Sequence, residues 1–334
     1  MRVAIWSNLS RDLPGWSEAL EIIRGAGHEI LDPGSDDLSD EAAEVLAGAA
    51  AIVVGLNQVT KGALAHASEA LVIAKPGIGV DNVDVAAATA LGIAVCNTPG
   101  SNAEAVADHT FALALAVLRD LVRLNNLTRN GQGWDNWPHV GRQLGGGVIA
   151  VVGTGNIGQA VIRRAVRGFD MKALAFDLRP NHELEREYRV RYGRLDDVLP
   201  EADVVTVHVP LTDSTRNLIG AAELSLLKPT AVLVNTSRGG VVDEAALATA
   251  LAAGKLSGAG VDVFDQEPST DSSLYRCENA ILTPHIAGYS PQASLKSRLM
   301  TAENVVAALA NSPRNVVNPD VLGARWSRLG RLKS

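Results

Sequence analysis

Short apolar runs alternate with amphipathic stretches along most of this chain. Residues 3–6 and 51–54 are apolar runs of strand length, and residues 15–26 and 40–47 between them have the apolar spacing of helices. Strands that alternate with helices are typical of a parallel sheet covered by helices, so the sequence predicts an α/β fold. Further strands are predicted at residues 71–74, 93–95, 148–152, 172–176, 204–207, 231–234, 258–261 and 280–282, and further helices at 83–90, 156–167, 243–253 and 291–309.

The alternation occurs in two series, separated by a long apolar segment. The chain has 334 residues, more than one ordinary core accommodates, so two domains are expected. Between the series, residues 101–124 have helical spacing, with Ala, Leu or Val at nearly every position as far as Leu118. A helix that is apolar on most faces must be buried, either between domains or against a second subunit. We expect one continuous helix that forms the contact of a homodimer.

Composition argues against several classes of partner. The net charge is −7, and the basic residues at 325–333 are typical of a solvated terminus, so nucleic-acid binding is not predicted. Cys96 and Cys277 lack the spacing of a metal site or a disulfide framework, which favours a reducing compartment. No apolar stretch is long enough to span a bilayer, and the N-terminus lacks a signal-peptide pattern. We therefore expect a cytoplasmic protein with no membrane partner and no metal.

The predicted strand at residues 148–152 runs directly into a glycine-rich turn and a predicted helix. The turn reads Gly153-Thr-Gly155-Asn-Ile-Gly158. In this pattern the first glycine permits a tight turn, the second lets the backbone approach a pyrophosphate, and the third lets helix and strand pack closely. Because the N–H groups at the helix start can hold phosphates, Gly153, Gly155, Asn156, Ile157 and Gly158 are predicted to bind a dinucleotide.

Asp177 indicates which dinucleotide binds. It lies about 20 residues after Gly158, directly after the predicted strand 172–176. An acid at this point can hydrogen-bond the ribose hydroxyls and would repel a 2′-phosphate, so NAD is favoured over NADP. Arg179 follows two residues later and could receive a 2′-phosphate, which leaves NADP as the alternative.

Three ionisable residues follow strands of the second series. Arg238, Glu267 and His285 each come a few residues after a predicted strand. Open α/β sheets bind ligands at the carboxyl ends of their strands. Each residue alone has a structural explanation, as a helix-start arginine, a solvated acid or a loop histidine. Together, and downstream of a dinucleotide loop, they predict one catalytic site.

These residue types suit the reduction of a 2-keto acid. A guanidinium such as that of Arg238 can grip the carboxylate and polarise the carbonyl group. A histidine such as His285 can donate the proton that the reduced oxygen needs and, when neutral, remove it in the reverse direction. A carboxylate such as that of Glu267 would orient the imidazole and favour its protonated form.

Seven segments spread over nearly the whole chain carry a family resemblance. They are 76–84 (PGIGVDNVD), 97–109 (NTPGSNAEAVADH), 153–158 (GTGNIG), 208–217 (HVPLTDSTRN), 235–240 (NTSRGG), 262–268 (DVFDQEP) and 283–288 (TPHIAG). Together, and in this order, they resemble the D-isomer-specific 2-hydroxyacid dehydrogenase family. The resemblance implies an NAD-dependent enzyme that interconverts a small 2-keto acid and its D-2-hydroxy acid, with the family's catalytic residues at Arg238, Glu267 and His285.

The resemblance also implies how the chain is divided. Residues 1–98 and 289–334 would form a smaller, flavodoxin-like substrate domain, and residues 99–288 a Rossmann-type NAD-binding domain. The site would lie in a cleft that closes over cofactor and substrate. A homodimer would form through the helix near residues 101–124.

Further binding residues are implied by the resemblance, and Lys75 and Tyr289 are added where this chain departs from the family's pattern. The backbone N–H groups of Ile78 and Gly79 would bind the substrate carboxylate, and Asp262 would lie near the nicotinamide carboxamide. Tyr289 would either reach the substrate or pack at a hinge. The remaining substrate contacts would be Lys75, Asn102 and Arg238, and the remaining cofactor contacts Val106, Thr110, His208, Val209, Pro210, Thr215, Thr236, Ser237, Arg238, His285 and Gly288.

The substrate stays open at this point. Phosphoglycerate dehydrogenases of this family place an Arg just after the strand at residues 51–54, where this chain has Gly55-Leu-Asn57. Lys75 could nevertheless meet a second anionic group, so a phosphoglycerate- or phosphonate-type substrate is the main alternative. A formate or phosphite dehydrogenase on the same scaffold is another. A non-catalytic NAD-sensing protein, similar to the transcriptional corepressors with this fold, is the third.

Overall fold

The computed structural model describes residues 1–9, 12–33, 38–134, 141–323 and 326. Arg325, Arg328, Arg331 and Lys333, predicted as a basic terminus, lie outside the described residues. The chain forms two compact units, Met1–Asn102 with Ser290–Ser334, and Ala103–Tyr289. Each unit contains one parallel sheet with helices around it, and the predicted α/β class is confirmed.

Most elements lie where the apolar periodicity predicts them. In chain order they are β1 (Arg2–Trp6), α1 (Trp16–Gly25), β2 (Glu29–Leu31), α2 (Asp40–Ala47), β3 (Ala51–Val54), α3 (Lys61–His66), β4 (Val72–Ala74), α4 (Val85–Ala90), β5 (Ala94–Cys96), α5 (Ala103–Leu118), α6 (Leu121–Arg129), β6 (Val148–Val152), α7 (Asn156–Phe169), β7 (Lys172–Phe176), α8 (His182–Tyr188), β8 (Arg191–Tyr192), α9 (Leu195–Val198), β9 (Val204–Val207), α10 (Ala221–Ser225), β10 (Val232–Asn235), α11 (Glu244–Ala252), β11 (Gly258–Val261), β12 (Ala280–Leu282) and α12 (Pro291–Leu309), with 3-10 turns at Leu199–Glu201, Ser273–Arg276 and Pro319–Leu322.

The first unit contains a five-stranded sheet in the order β2-β1-β3-β4-β5. This is the 2-1-3-4-5 order of flavodoxin-like folds. Alternate residues of each strand face opposite sides of the sheet. Val3 and Val53 face the side that α1 and α12 cover, whereas Ala4 and Ile52 face the side that α2, α3 and α4 cover. Burial on both faces explains why these strands read as unbroken apolar runs.

The second unit contains a seven-stranded sheet in the order β12-β11-β10-β9-β6-β7-β8. Read from β8, the strands follow the 3-2-1-4-5-6 order of a Rossmann-type fold, with β12 as a seventh strand. The order reverses between β6 and β9, which pair in parallel. Open sheets of this kind bind ligands at that reversal, beyond the carboxyl ends of the strands. The residues after β6 and β9 therefore lie at the expected cofactor position.

The prediction of one continuous helix over residues 101–124 is wrong. α5 ends at Leu118, and α6 begins at Leu121 after Asp120 adopts a left-handed φ of 52°. A residue in that conformation cannot continue a right-handed helix. The apolar character of α5 also has a local explanation, since Phe111 and Leu113 pack on strands and helices of their own unit. Burial of α5 therefore needs no second subunit.

Among the residues that the structure describes, no helix has both the length and the apolarity to cross a membrane.

Candidate active site

The glycine-rich turn after β6 leaves room for a ligand that no side chain fills. Gly153 has a φ of +95°, and a Cβ there would lie 2.9 Å from the carbonyl oxygen of His208. A Cβ on Gly158 would lie 2.0 Å from the carbonyl oxygen of Gly153, so only glycine permits this approach of α7 to β6. Gly155, by contrast, faces open space. Because no side chain caps α7 at Gly155, the first N–H groups of the helix are available to phosphate oxygens.

Asp177 lies at the end of β7 with its carboxylate fixed by neighbouring groups. Oδ2 accepts hydrogen bonds from the backbone N and the hydroxyl of Thr154, at 2.7 and 2.9 Å, and Oδ1 accepts from the backbone N of Arg179 at 2.9 Å. Burial raises the pKa of Asp177, but these hydrogen bonds together outweigh it and hold the pKa below its usual value. An ionised, immobile carboxylate at this position suits the ribose of NAD and opposes a 2′-phosphate.

The segment after β9 adjoins the glycine-rich turn. A Cβ on Gly153 would lie 2.7 Å from a methyl carbon of Val209. Both ring nitrogens of His208 are buried and have no hydrogen-bond partner among the described residues. Burial lowers the pKa of His208 to about 3, so the ring is neutral. The turn is closed by Thr215, whose hydroxyl donates to the carbonyl of Pro210 at 2.6 Å.

Glu267 and His285 form a hydrogen-bonded pair. His285 Nδ1 lies 2.6 Å from Glu267 Oε2, and Glu267 Oε1 accepts from the backbone N of Phe264 at 3.0 Å. Burial raises the pKa of Glu267, but the bonds from His285 and Phe264 and the positive charge of Arg238 together lower it below the usual value. An ionised Glu267 holds the imidazole by Nδ1–H, which leaves Nε2 for a reacting group.

Arg238 follows β10 in a turn that Asn235 organises. Asn235 Oδ1 accepts from the backbone N and the hydroxyl of Ser237, and Asn235 Nδ2 donates to the carbonyl of Arg238 at 3.1 Å. The hydroxyl of Thr236 lies 3.0 Å from that of Thr110 on α5. These bonds leave little freedom in the backbone that carries the guanidinium. Arg238, Glu267 and His285 are thus brought together at the carboxyl edge of the second sheet.

The backbone around His285 is organised by Asp262, a fully buried carboxylate after β11. Its oxygens accept from the backbone N of Ile286 and of Ala287 and from the hydroxyl of Thr283, at 2.9, 2.8 and 2.5 Å. His109 of α5 lies 3.0 Å from the same hydroxyl. Asp262 is predicted above as a cofactor contact, and the structure adds that it shapes the loop that carries His285.

Predicted cofactor residues at the rim of this edge differ in exposure. Val106 and Thr110 are buried in α5, and the hydroxyl of Thr110 donates to the carbonyl of Val106 at 2.8 Å. Gly288 is partly exposed, whereas the side chain of Tyr289 is 52% exposed.

The predicted substrate residues of the first unit follow β4. Lys75 is buried, and its Nζ donates to the carbonyl of Gly55 at 2.6 Å. The carbonyl of Ile78 accepts from the side chain of Asn97 at 2.8 Å, whereas the N–H groups of Ile78 and Gly79 donate to no other described residue. Oδ1 of Asn102 is buried and has no hydrogen-bond partner within the described residues.

Sequence reasoning missed the residues that support the site. Thr154 holds Asp177, Asn235 holds the turn of Arg238, and His109 and Thr283 flank Asp262. A signal was present for His109, because it is an imidazole within a helix that the sequence predicts to be buried. Nothing local distinguishes Thr154, since most turns contain small polar residues.

The groups at this edge fit a dinucleotide. The open space at Gly155 and the uncapped start of α7 are features that a bound dinucleotide would cover. In the part of the chain that the structure describes, no group of three or more His, Cys, Asp or Glu could hold a metal ion.

Comparisons with known proteins identify the family of the chain. The model of the D-isomer specific 2-hydroxyacid dehydrogenase NAD binding domain matches residues 111–287. A glyoxylate reductase of Thermococcus litoralis is 40% identical over 280 residues, which are 82% of this chain and 84% of that protein. A D-3-phosphoglycerate dehydrogenase of Archaeoglobus fulgidus is 35% identical over 90% of this chain and 57% of its own length.

Solved structures with a similar fold include enzymes of the same kind. D-lactate dehydrogenase from Aquifex aeolicus, solved with NAD and lactic acid, matches with a TM-score of 0.80 and 28% identity, over 95% of this chain and 99% of that one. The prediction of an NAD-dependent oxidoreductase is thereby confirmed. The chain belongs to the D-isomer specific 2-hydroxyacid dehydrogenase family, and it is an NAD-dependent 2-hydroxyacid dehydrogenase.

Proposed function

We propose that this enzyme interconverts a small 2-keto acid without a second anionic group, such as glyoxylate or hydroxypyruvate, and the corresponding 2-hydroxy acid, which has the D configuration where it is chiral. The observation that carries the proposal is the pair of His285 and Glu267, with Nδ1 and Oε2 2.6 Å apart, beside Arg238. A cation, a proton donor and an orienting carboxylate are the groups that this reaction needs. The D configuration follows from the family.

Each side chain has one part in the reaction. Arg238 binds the substrate carboxylate and polarises the carbonyl group, which makes its carbon electrophilic. Bound NADH supplies the hydride. His285, protonated, donates the Nε2 proton to the carbonyl oxygen, so that the product leaves as an alcohol. Glu267 accepts the Nδ1–H bond throughout, which orients the ring and stabilises its positive charge. In the reverse direction neutral His285 takes the hydroxyl proton.

Cofactor contacts are proposed for the residues around the glycine-rich turn. Gly153, Gly155, Asn156, Ile157 and Gly158 hold the pyrophosphate through backbone N–H groups. Asp177 binds the adenosine ribose, and this assignment rests on its fixed, ionised carboxylate. The remaining contacts are Val106, Thr110, His208, Val209, Pro210, Thr215, Thr236, Ser237, Asp262 and Gly288.

The choice of a substrate with one anionic group rests on Lys75. Its ammonium group is buried and already donates to the carbonyl of Gly55. A buried cation that is used to hold a loop is poorly suited to receive a phosphate, because the phosphate would have to be desolvated to reach it. The segment 76–79 then supplies the backbone N–H groups of Ile78 and Gly79 for the single carboxylate.

The domain roles follow the same division. We propose that residues 1–98 with 289–334 bind substrate and that residues 99–288 bind the cofactor. Cytoplasmic residence is proposed on the free thiols of Cys96 and Cys277, which suit a reducing compartment.

A homodimer through α6 is also proposed. α6 has no buried residue within the described part of the chain, and Leu121 and Val122 are 52% and 51% exposed. The proposed interface would bury these two side chains.

Steady-state oxidation of NADH with a panel of keto acids tests the substrate. The panel contains glyoxylate, hydroxypyruvate, phosphonopyruvate and phosphohydroxypyruvate. We expect activity with the first two and little with the phosphorus-bearing acids. Activity confined to the latter would transfer the proposal to a phosphoglycerate- or phosphonate-type enzyme. No activity on the panel, with NADH still bound, would favour an unusual substrate or a sensor.

Variants assign the roles in the same assay. Arg238→Ala should abolish reduction while NADH binding stays nearly intact, because the guanidinium contacts the keto acid. His285→Gln should lower kcat by about two to four orders of magnitude, the usual contribution of a positioned proton donor. A wild-type rate with His285→Gln would remove His285 as the acid.

A further inference from the structure

We propose that His109 is a positioning residue for the proton donor, acting through Thr283 and Asp262 on the loop that carries His285. The inference rests on the proposed role of His285. His109 lies on α5 and does not contact Glu267 or the imidazole of His285 through any hydrogen bond between described residues. Its influence must therefore pass through the backbone of the loop.

Asp262 is the centre of this arrangement. The carbonyl oxygen of Asp262 accepts from the backbone N of His285 at 2.7 Å, and its carboxylate accepts from the backbone N of Ile286 and of Ala287. Three consecutive N–H groups of the loop thus bond to one residue. His285 has a left-handed φ of 54°, a conformation that persists when surrounding bonds fix it. The orientation of the imidazole accordingly depends on where Asp262 is held.

The direction of the hydrogen bonds links His109 to that carboxylate. The Thr283 hydroxyl donates its one hydrogen to Asp262 Oδ1 at 2.5 Å. The Thr283 oxygen can then only accept from His109, whose Nε2 lies 3.0 Å away. His109 therefore carries a hydrogen on Nε2. The same nitrogen lies 3.7 Å from Asp262 Oδ1, so His109 is adjacent both to the hydroxyl and to the carboxyl group that it bonds.

α5 can hold His109 in a fixed position because the helix is packed on the sheet of its own unit. Phe111 and Leu113 are buried in the core of the unit. Thr110, the residue after His109, contacts the hydroxyl of Thr236, which belongs to the turn of Arg238. His109 and Thr110, adjacent residues of one helix, thus contact the loop that carries His285 and the turn that carries Arg238. This arrangement fixes the two loops relative to each other.

Two substitutions at residue 109 separate positioning from bulk. His109→Leu removes the donor and fills a similar volume, whereas His109→Gln keeps an N–H group at similar reach. We expect His109→Leu to lower kcat for keto-acid reduction by about tenfold, and His109→Gln to restore most of the rate. The KM for NADH should change much less than kcat in both, because the glycine-rich turn and Asp177, which are proposed to hold most of the dinucleotide, do not bond to His109.

His182 provides the matched control. It is an exposed histidine of the same unit that also pairs with a carboxylate, Glu185. His182→Leu should leave kcat unchanged. Equal rates for wild type and His109→Leu would overturn the proposal, and so would equal losses for His109→Leu and His109→Gln.

Thr283 gives a second route if His109→Leu does not fold. Thr283→Ser keeps the hydroxyl that joins His109 to Asp262, and Thr283→Val removes it. If His109 positions the loop through this hydroxyl, Thr283→Ser should keep a kcat near that of wild type and Thr283→Val should lower kcat by about tenfold. Equal rates for the two variants would contradict it. His285→Gln is measured in parallel: if it keeps the wild-type rate, the proposed role of His285 fails, whereas a loss confined to His285→Gln refutes the role of His109 alone.

Discussion

Gly239 shows how much a single residue decides at this site. It separates the turn of Arg238 from the loop of Glu267, and a Cβ there would lie 1.9 Å from the carbonyl oxygen of Phe264. The backbone N of Phe264 in turn donates to Glu267. Backbone packed directly on backbone leaves no flexible side chain that could move aside. Substitution at this position must therefore displace the loop that orients the imidazole.

Gly239→Ala should lower kcat by at least about tenfold and destabilise the fold by about 1–3 kcal/mol, the usual cost of overpacking. Thermal unfolding and steady-state kinetics measure the two effects. Gly168→Ala is the control, because Gly168 lies within α7 with nothing within 4 Å of a Cβ. That change should be neutral or stabilising. A Gly239→Ala enzyme with wild-type kcat would show that the two loops can move apart freely.

Asp177 is the residue on which cofactor preference depends. Its carboxylate is fixed by Thr154 and the backbone of Arg179. Asp177→Ala should remove the charge that opposes a 2′-phosphate and should shift the ratio of kcat/KM values from NADH toward NADPH by about tenfold or more. Asp196→Ala, which removes an exposed aspartate of the same unit, should leave the ratio unchanged. An unaltered ratio in Asp177→Ala would contradict the ribose assignment.

At the scale of elements, polar anchors fix the strands and helices that the apolar pattern only outlines. Asp203 precedes β9, and its carboxylate accepts from the backbone N of Val148 at 2.9 Å and from Lys228 Nζ at 3.0 Å. Burial raises the pKa of Asp203, but these bonds and one from Arg142 together lower it below the usual value. The bonds tie β9 to β6, the two strands between which the strand order reverses.

Asp203→Asn should lower the free energy of unfolding at neutral pH by about 1–2 kcal/mol. A depressed carboxyl pKa stabilises the fold above the unfolded-state pKa, and this stabilisation is lost as the pH falls through the folded-state pKa. The difference in the free energy of unfolding between wild type and Asp203→Asn should therefore shrink below about pH 4. Urea unfolding as a function of pH measures it, with Asp196→Asn as the exposed control. A deficit that is independent of pH would argue against an ionic role.

At the scale of the whole molecule, α6 is a helix of which the described part of the chain buries no side chain. α5 is packed within its unit, but α6 presents Leu121 and Val122 to solvent in the described chain. The proposed homodimer would cover them. A stable interface of this kind is more apolar at its centre than the rest of the surface.

Charge placed on α6 tests the dimer. Leu121→Asp and Val122→Asp should each convert a dimeric enzyme into monomers, because a buried unpaired carboxylate at an interface is strongly unfavourable. Light scattering coupled to size-exclusion chromatography reports the mass. Leu91→Asp is the control, since Leu91 is 46% exposed after α4 and outside the proposed surface. A monomeric wild type, or variants that stay dimeric, would refute an α6 interface.

Local patterns were sufficient for much of this protein. Burial of both sheet faces makes each strand an apolar run, so the period of the sequence predicted the two series of strands and helices. The turn Gly153–Gly158 was recognisable because tight backbone packing leaves only glycine. Arg238, Glu267 and His285 could be selected because strand ends in such sheets converge on one edge.

Only the tertiary structure determined where the long apolar helix breaks and which distant side chains bond to one another. The break at Asp120 depends on a left-handed backbone that an apolar period does not reveal. The contact of His109 with Thr283 joins residues 174 positions apart, and that of Thr110 with Thr236 spans 126. The burial of Lys75 against Gly55 likewise needs two strand ends to be adjacent. Hydrogen-bond partners at such distances are chosen by how elements pack, and a single sequence carries no local signal for them.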